Sequence, residues 1–464
     1  MASSVDMVQY RLAQHYVTRL QQANTAFRRG HGNRTYWYNQ IEQDWSQIRQ
    51  WQAWSASAAD ELDKAQLCVE FSIAGMDILR VRQTPSERVT WLQQALDAAI
   101  LVGNAEAQRT ILHHLAQAHF YSSRAEQATQ LANELLILSQ QAKDTLSIGR
   151  AYYTLASVAQ QQGKFDESED LLNRALVLFE KCQATAEIGR VYQGIGRVAH
   201  FRGDYQLAYD YFAKYLAIVE GTGREGELSV ALLTLSNSLV SLRDFITAEL
   251  YAERSVQICR NVGFMRMLPA ALLSLAMCEV ELDKLDSAIR HYQEGIQVAD
   301  SINMKNLVVS GMIDLGNIYT HLGNFEAAAK CYEEALEFAR DKKAPYYVCL
   351  AQGYRAYLYL LQNQHEPARQ ATLEAIELAL QLGIEPYLAK TLLIVVHFFW
   401  HGQEYEQAAR WTGVLHRYVI HLNRRLFNSI CRELETDEYM QIIEQGQNLD
   451  LIEVIKEAKT ILGQ

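Results

Sequence analysis

The sequence predicts an all-α solenoid, a run of stacked helical hairpins with a helical segment closing each end. Three observations predict it: a helix-favouring composition, an internal repeat of forty residues, and two termini that leave the repeat but keep amphipathic helical patterns. Only 5 prolines and 24 glycines interrupt 464 residues, while Ala, Leu, Gln and Glu are abundant. Unbranched side chains and alanine lose little freedom in a helix, so this composition favours one. Strand-like alternations of Val, Ile and Thr between turn residues are missing.

The repeat organises the chain. Stepping by forty from Ala128 gives Ser168, Ala208, Ala248, Ala288, Ala328, Ala368 and Ala408. Four residues later the column reads Ala132, Leu172, Phe212, Ala252, Tyr292, Tyr332, Thr372 and Thr412. A third reads Leu115, Leu155, Ile195, Leu235, Leu275, Leu315, Arg355 and Val395, and the position after it is mostly small, from Ala116 and Ala156 to Gly316 and Ala356. A leucine followed by a small residue forms one face of a first helix. A turn follows, as in Gly163-Lys164-Phe165, Gly203-Asp204-Tyr205 or Gly323-Asn324-Phe325, and its aromatic residue opens a second helix. The recurrent Ala or Ser is expected where the two helices cross, since a larger side chain would hold them apart. One hairpin cannot cover its own apolar face, so stacking on neighbours is required.

These residues carry a family resemblance. Leu155 to Leu176 and Leu315 to Leu336 resemble tetratricopeptide repeats (TPRs); in the second, Leu315, Gly316, Tyr319, Gly323, Phe325, Ala328, Tyr332 and Ala335 fill every slot of the pattern. The period exceeds the usual 34 residues and the terminal proline is absent, which implies longer helices. The resemblance implies a right-handed superhelix of about nine hairpins over residues 67–418. The first hairpin is degenerate, with Arg88 in the small-residue slot.

The two ends differ from the array. Residues 1–66 read as a helical cap or junction, with one amphipathic helix and a second dense in aromatics. Glu42, Ile48, Trp51 and Trp54 resemble the junction that joins a nucleotide-binding module to a TPR sensor in STAND proteins, the signal-transducing ATPases with numerous domains. Residues 419–464 read as a C-terminal helical cap. Beginning just before it, the segment from Ala408 resembles the tail of bacterial STAND regulators, with Trp411 and Gly413, an acidic helix, and a Gly446-to-Leu449 element that starts the last helix. No G-x-x-x-x-G-K-[ST] loop occurs, so the resemblance implies an ATPase module outside this chain.

Charge and cysteine usage narrow the function. A net charge of -11 without a basic block argues against nucleic-acid contact. The 7 cysteines contain no C-x-x-C pair, a pattern of reduced thiols in a cytoplasm. The N-terminus has no signal-peptide core, and the apolar run Leu392 to Trp400 is too short to span a bilayer, so no membrane association is expected. His397 and His401 have metal-ligand spacing but lack a third ligand, and the flanking aromatics indicate a packing position. No cofactor and no catalytic activity are expected.

In a TPR superhelix the first helices line a groove. Three columns are expected on that side: Gln117, Ser157, Arg197, Asn237, Met277, Asn317, Tyr357 and His397; His113, Tyr153, Gln193, Leu233, Leu273 and Ile313; and Phe120, Gln160, His200, Val240, Val280, Thr320, Leu360 and Trp400. Arg150 and Arg190 add charge one turn earlier. The groove is thus expected to have a polar, cationic end and an apolar end, suited to a peptide or protein ligand, with Arg197 and His200 as anion contacts. The resulting reading is the inducer-binding sensor of a STAND-type regulator; the alternative is a freestanding scaffold or peptide-pheromone receptor.

Overall fold

The computed structural model describes the chain except residues 1–3, 30–33, 58–60, 123, 222–224, 342–343, 384, 422–423, 435–438 and 464. The described residues form helices and short turns, in two compact units, Met1–Met267 and Leu268–Gln464.

The N-terminal unit opens with Ser4–Arg29 and Arg34–Ala56, tied together by Arg19 on Asp44 at 2.7 Å. Their apolar faces, with Leu20, Ile41 and Ile48, share one core with Leu67, Phe71 and Ile78 of the first hairpin. That hairpin's leading helix breaks at Gly75 into Leu62–Ala74 and Met76–Arg82. Asn24 caps the second piece, its Oδ1 accepting from the backbone N–H of Asp77 (2.9 Å) and Ile78 (3.1 Å). The residues that resemble a junction are spent on this contact: Ile48 and Trp51 are buried, Glu42 pairs with Arg82, and Lys64 lies 4.9 Å from the Trp54 ring.

Beyond it the hairpins repeat. Leading helices Ala105–Tyr121, Thr145–Gln161, Thr185–Phe201 and Glu225–Ser241 alternate with trailing helices Ala125–Gln141, Phe165–Lys181, Tyr205–Val219 and Phe245–Val262. Most helices run 17 residues. A residue with left-handed φ ends the turn at twenty-residue intervals, as at Lys143, Gly163, Gln183 and Gly203. The next backbone N–H then bonds back to a carbonyl of the preceding helix, for example Lys164 N to Ala159 O at 2.9 Å. Two such half-units explain the long period. Side-chain caps help the next helix start: Asn104, Asp144, Asp204 and Asp244 each accept a backbone N–H three residues on.

The crossing positions behave as the sequence requires. Ala128, Ser168, Ala208, Ala248, Ala288, Ala328, Ala368 and Ala408 are all 0% exposed. Where serine enters a crossing, its hydroxyl is satisfied by the facing helix: Ser168 Oγ donates to Ala156 O (2.9 Å) and Ser236 Oγ to Ala248 O (2.8 Å).

The C-terminal unit continues the pattern with leading helices Leu268–Glu281, Lys305–His321, Pro345–Leu361 and Glu385–His401. Trailing helices Leu285–Ser301, Phe325–Asp341, His365–Leu382 and Tyr405–Leu415 complete its hairpins. A 3-10 turn, His416–His421, leads to Arg424–Leu434, Met440–Gly446 and Leu451–Leu462. Residues 435–438 of the expected acidic helix lie outside the described residues. The last helix begins after Asp450, whose Oδ1 accepts from Ile452 N and Glu453 N at 3.0 Å. Among the described residues no helix is long and apolar enough to cross a membrane.

Candidate functional site

Helical periodicity leaves one stripe of each leading helix partly open between its buried faces. In Ala105–Tyr121 it runs through Thr110, His114, Gln117 and Tyr121; in Thr185–Phe201, through Arg190, Arg197 and Phe201. Most of the column that begins at Gln117 lies on this stripe, but Ser157 and His397, expected there, are buried, as are Thr320 and Leu360 of the column that begins at Phe120. The His113 column lies deeper: Leu233, Leu273 and Ile313, expected to line an apolar end of the groove, are core residues at 7%, 9% and 2% exposure. Tyr153 and Gln193 of the same column stay partly exposed, so the burial of the other three is set by the neighbouring helices and not by helical register alone.

Five of the expected site residues, His113, Gln117, Arg150, Tyr153 and Arg190, surround one cavity of about 10 Å3 together with Glu187. That is room for about one water molecule, so any ligand must lie across the stripe rather than inside it. Charge is organised as a ladder. Arg150 reaches Glu187 of the next leading helix at 2.7 Å, and Arg190 reaches Glu227 of the one after at 3.3 Å. Among the described residues Arg197 has no such partner, and its Nε is buried without a hydrogen bond. Burial, reinforced by Arg150 and Arg190, holds the His113 imidazole well below its ordinary pKa, so it is neutral. Burial raises the Tyr153 phenol, against the opposing pull of Arg197.

The remaining expected residues are more dispersed. Ser157 Oγ turns back onto Tyr153 O (2.9 Å), and Gln160 Nε2 donates to Gly194 O (3.0 Å). The His200 ring stands edge-on to Tyr205 at 5.1 Å. Gln193 and Asn237 are partly exposed on their own leading helices. Asn317 belongs to the C-terminal unit, where its Oδ1 accepts from the buried Tyr332 hydroxyl at 2.8 Å. His397 Nε2 sits 3.0 Å from Leu426 O and its ring packs against Tyr357, a packing role.

Sequence reasoning missed Glu187 and Glu227. Their signal was present, each carboxylate falling 37 residues after an arginine of the preceding hairpin. It also missed Asp314 and Lys390, which occupy the open stripe of the C-terminal unit. Asp314 forms no ion pair with a described residue, and burial raises its carboxyl to a pKa of about 6 despite the charge of Lys390.

Comparison with known proteins bears on this geometry. Two family models described as Tetratricopeptide repeat match residues 147–221 and 311–342. These spans contain the two segments, Leu155 to Leu176 and Leu315 to Leu336, that carry the resemblance. The chain carries tetratricopeptide repeats. A model of Anaphase-promoting complex subunit 5 matches residues 76–162 and 198–309, and none of the three models spans half of the chain. No curated protein matches. Among solved structures, a Rap protein complexed with Competence and Sporulation Factor is similar at 13% identity and TM-score 0.53, covering 84% of this chain and 99% of its own. A STAND protein with a tetratricopeptide repeat sensor from Pyrococcus horikoshii is similar at 17% identity and TM-score 0.51, covering 82% of this chain and 55% of its own. At these identities the TPR likeness is one of fold.

Proposed function

We propose that the chain is a ligand-recognition module that binds a peptide or protein segment across the open stripe of its N-terminal leading helices. The observation that carries this reading is Arg197, a guanidinium on the stripe with no carboxylate partner among the described residues, beside the Arg150–Glu187 and Arg190–Glu227 ladder. A carboxylate or backbone carbonyl of a bound segment would complete its hydrogen bonding, and Gln193 and Tyr153 offer further polar contacts. The finer role is that of inducer sensor for a STAND-type ATPase module encoded outside this sequence. The ligand must then favour one conformational state, because equal affinity for two states shifts neither. Support for that role is the STAND protein among the fold neighbours, which carries a tetratricopeptide repeat sensor. The Rap protein, solved with Competence and Sporulation Factor, supports the freestanding-receptor alternative.

The test is a peptide-array selection with the full chain, followed by calorimetry of the best binder. Arg197→Ala, alone and with His200→Ala, should weaken that binding about tenfold or more. Unaltered affinity would remove the stripe from the function. A nucleotide-binding module encoded in frame upstream of Val5 separates the STAND role from the freestanding receptor.

A further inference from the structure

A second collection of positive charge in the N-terminal unit is not used by the peptide reading. Arg80, Arg88, His114, Gln117, Tyr121 and Arg266 line a cavity of about 40 Å3. They come from separate places: Arg80 from Met76–Arg82, Arg88 from Pro85–Leu101, and Arg266 from the turn before Leu268. His114, Gln117 and Tyr121 share the open stripe of Ala105–Tyr121.

Several inward arginines of the N-terminal unit are held by a carboxylate, and among the described residues those of this cavity, like Arg197, are not. Arg19, Arg109, Arg150 and Arg190 each meet a carboxylate within 3.3 Å. Arg80, Arg88 and Arg266 pair with no described carboxylate, in a chain of net charge -11. Arg88 is only 8% exposed, and its guanidinium reaches nothing better than Met76 O at 3.4 Å and Met76 Sδ at 3.7 Å. Burial and the neighbouring Arg80 lower its pKa to about 10, against a partial pull from Asp77, which does not line the cavity. His114 Nδ1 is likewise buried without a hydrogen-bond partner. A buried cation and an orphaned ring nitrogen are unfavourable unless something supplies negative charge and acceptors.

We propose that this cavity is an oxyanion site that takes the phosphoryl group of a ligand, with Arg80, Arg88 and Arg266 as its charge partners and His114 as a neutral hydrogen-bonding wall. The volume admits a group of a few heavy atoms, not a whole nucleotide. Three guanidiniums without a lining carboxylate match a multi-oxygen dianion better than a single carboxylate. The site adjoins the Arg150–Arg197 stripe at Gln117, which lines both cavities, but its three arginines are distinct from Arg150, Arg190 and Arg197, so the two proposals are tested by separate substitutions.

The experiment is calorimetry of the full chain with inorganic phosphate at about pH 8, where it is a dianion, with acetate at matched ionic strength as the carboxylate comparison. Saturable one-to-one phosphate binding is expected, with acetate weaker by about tenfold or more. Arg80→Gln and Arg266→Gln should each weaken phosphate about tenfold, while Arg174→Gln, an exposed arginine paired with Asp170, should change nothing. The unliganded Tm of Arg80→Gln should hold or rise, because the substitution relieves repulsion on Arg88; a structural role for Arg80 would lower it. The proposal is overturned if phosphate shows no saturable binding, if neither substitution weakens it, if acetate binds as tightly, or if Arg80→Gln lowers the unliganded Tm.

Discussion

Gly413 and Gly446 face each other where Tyr405–Leu415 crosses Met440–Gly446, so closely that a Cβ on Gly446 would lie 1.9 Å from Arg410 O and one on Gly413 would lie 2.1 Å from Ile443 O. Two sequence features noticed separately, Trp411-x-Gly413 and the Gly446-to-Leu449 element, are thus the two halves of one backbone-to-backbone contact. Trp411, 0% exposed and edge-on to Phe399 at 4.8 Å, anchors the same helix to the last leading helix.

The first prediction follows from that crossing. A methyl group there meets backbone, which cannot rotate away as a side chain tip can. Gly446→Ala should destabilise the C-terminal segment by about 3 kcal/mol or more, read as a lower urea midpoint. An unchanged midpoint would show that the two helices do not touch in solution.

Tyr332 concerns both the core and the site. Its hydroxyl donates to Asn317 Oδ1 (2.8 Å) and lies 3.1 Å from Thr320 Oγ1, which also donates to Gly316 O at 2.9 Å. Tyr332→Phe should cost about 1–3 kcal/mol, because it strips buried polar groups of a partner while changing little volume. Asn317→Ala should also lose stability, so any effect of that substitution on binding must be corrected for folding.

Asp314 should make stability depend on pH. Its folded pKa is raised from 3.8 to about 6 by burial, so between those values the folded chain holds more protons than the unfolded one. Stability therefore falls as pH rises through that window, and the penalty is complete above about pH 6. Asp314→Asn should stabilise the chain by up to about 3 kcal/mol at neutral pH, with the gain vanishing near pH 4. A gain independent of pH would refute the cause given.

His397 acts in the opposite direction. Burial lowers its pKa to about 4, against the raising effect of the Leu426 carbonyl, so the folded chain keeps the ring neutral. The unfolded chain takes up a proton below its ordinary pKa of 6.5. The contribution is full above that value and declines as pH falls towards 4, by up to about 3 kcal/mol. Urea midpoints measured across this range should fall less steeply for His397→Gln than for the unaltered chain.

The repeat was legible because its cause is local and steric. A helix crossing tolerates only a small side chain, so Ala128 and its seven successors recur at one spacing and are all fully buried. Phe165, Tyr205 and Phe325 open their helices where the turn pattern places them. The site was legible only in part. Periodicity put Gln117 and Arg197 on the open side, yet it could not tell Leu233, a core residue, from Tyr153 in the same column. That distinction depends on how far each neighbouring hairpin reaches across.

By itself the sequence determined the helical class, the forty-residue hairpin, the crossing positions and the polar character of the N-terminal stripe, because each follows from contacts within a hairpin or from composition. Only the tertiary structure decided that Glu187 and Glu227 answer Arg150 and Arg190, that Gly413 meets Gly446, and that Arg80, Arg88 and Arg266 converge. Each of these meetings joins separate hairpins or a hairpin and a terminal helix, as Arg266 joins Arg80 and Arg88 of the first hairpin, and which residues meet is set by stacking angles that no single repeat encodes.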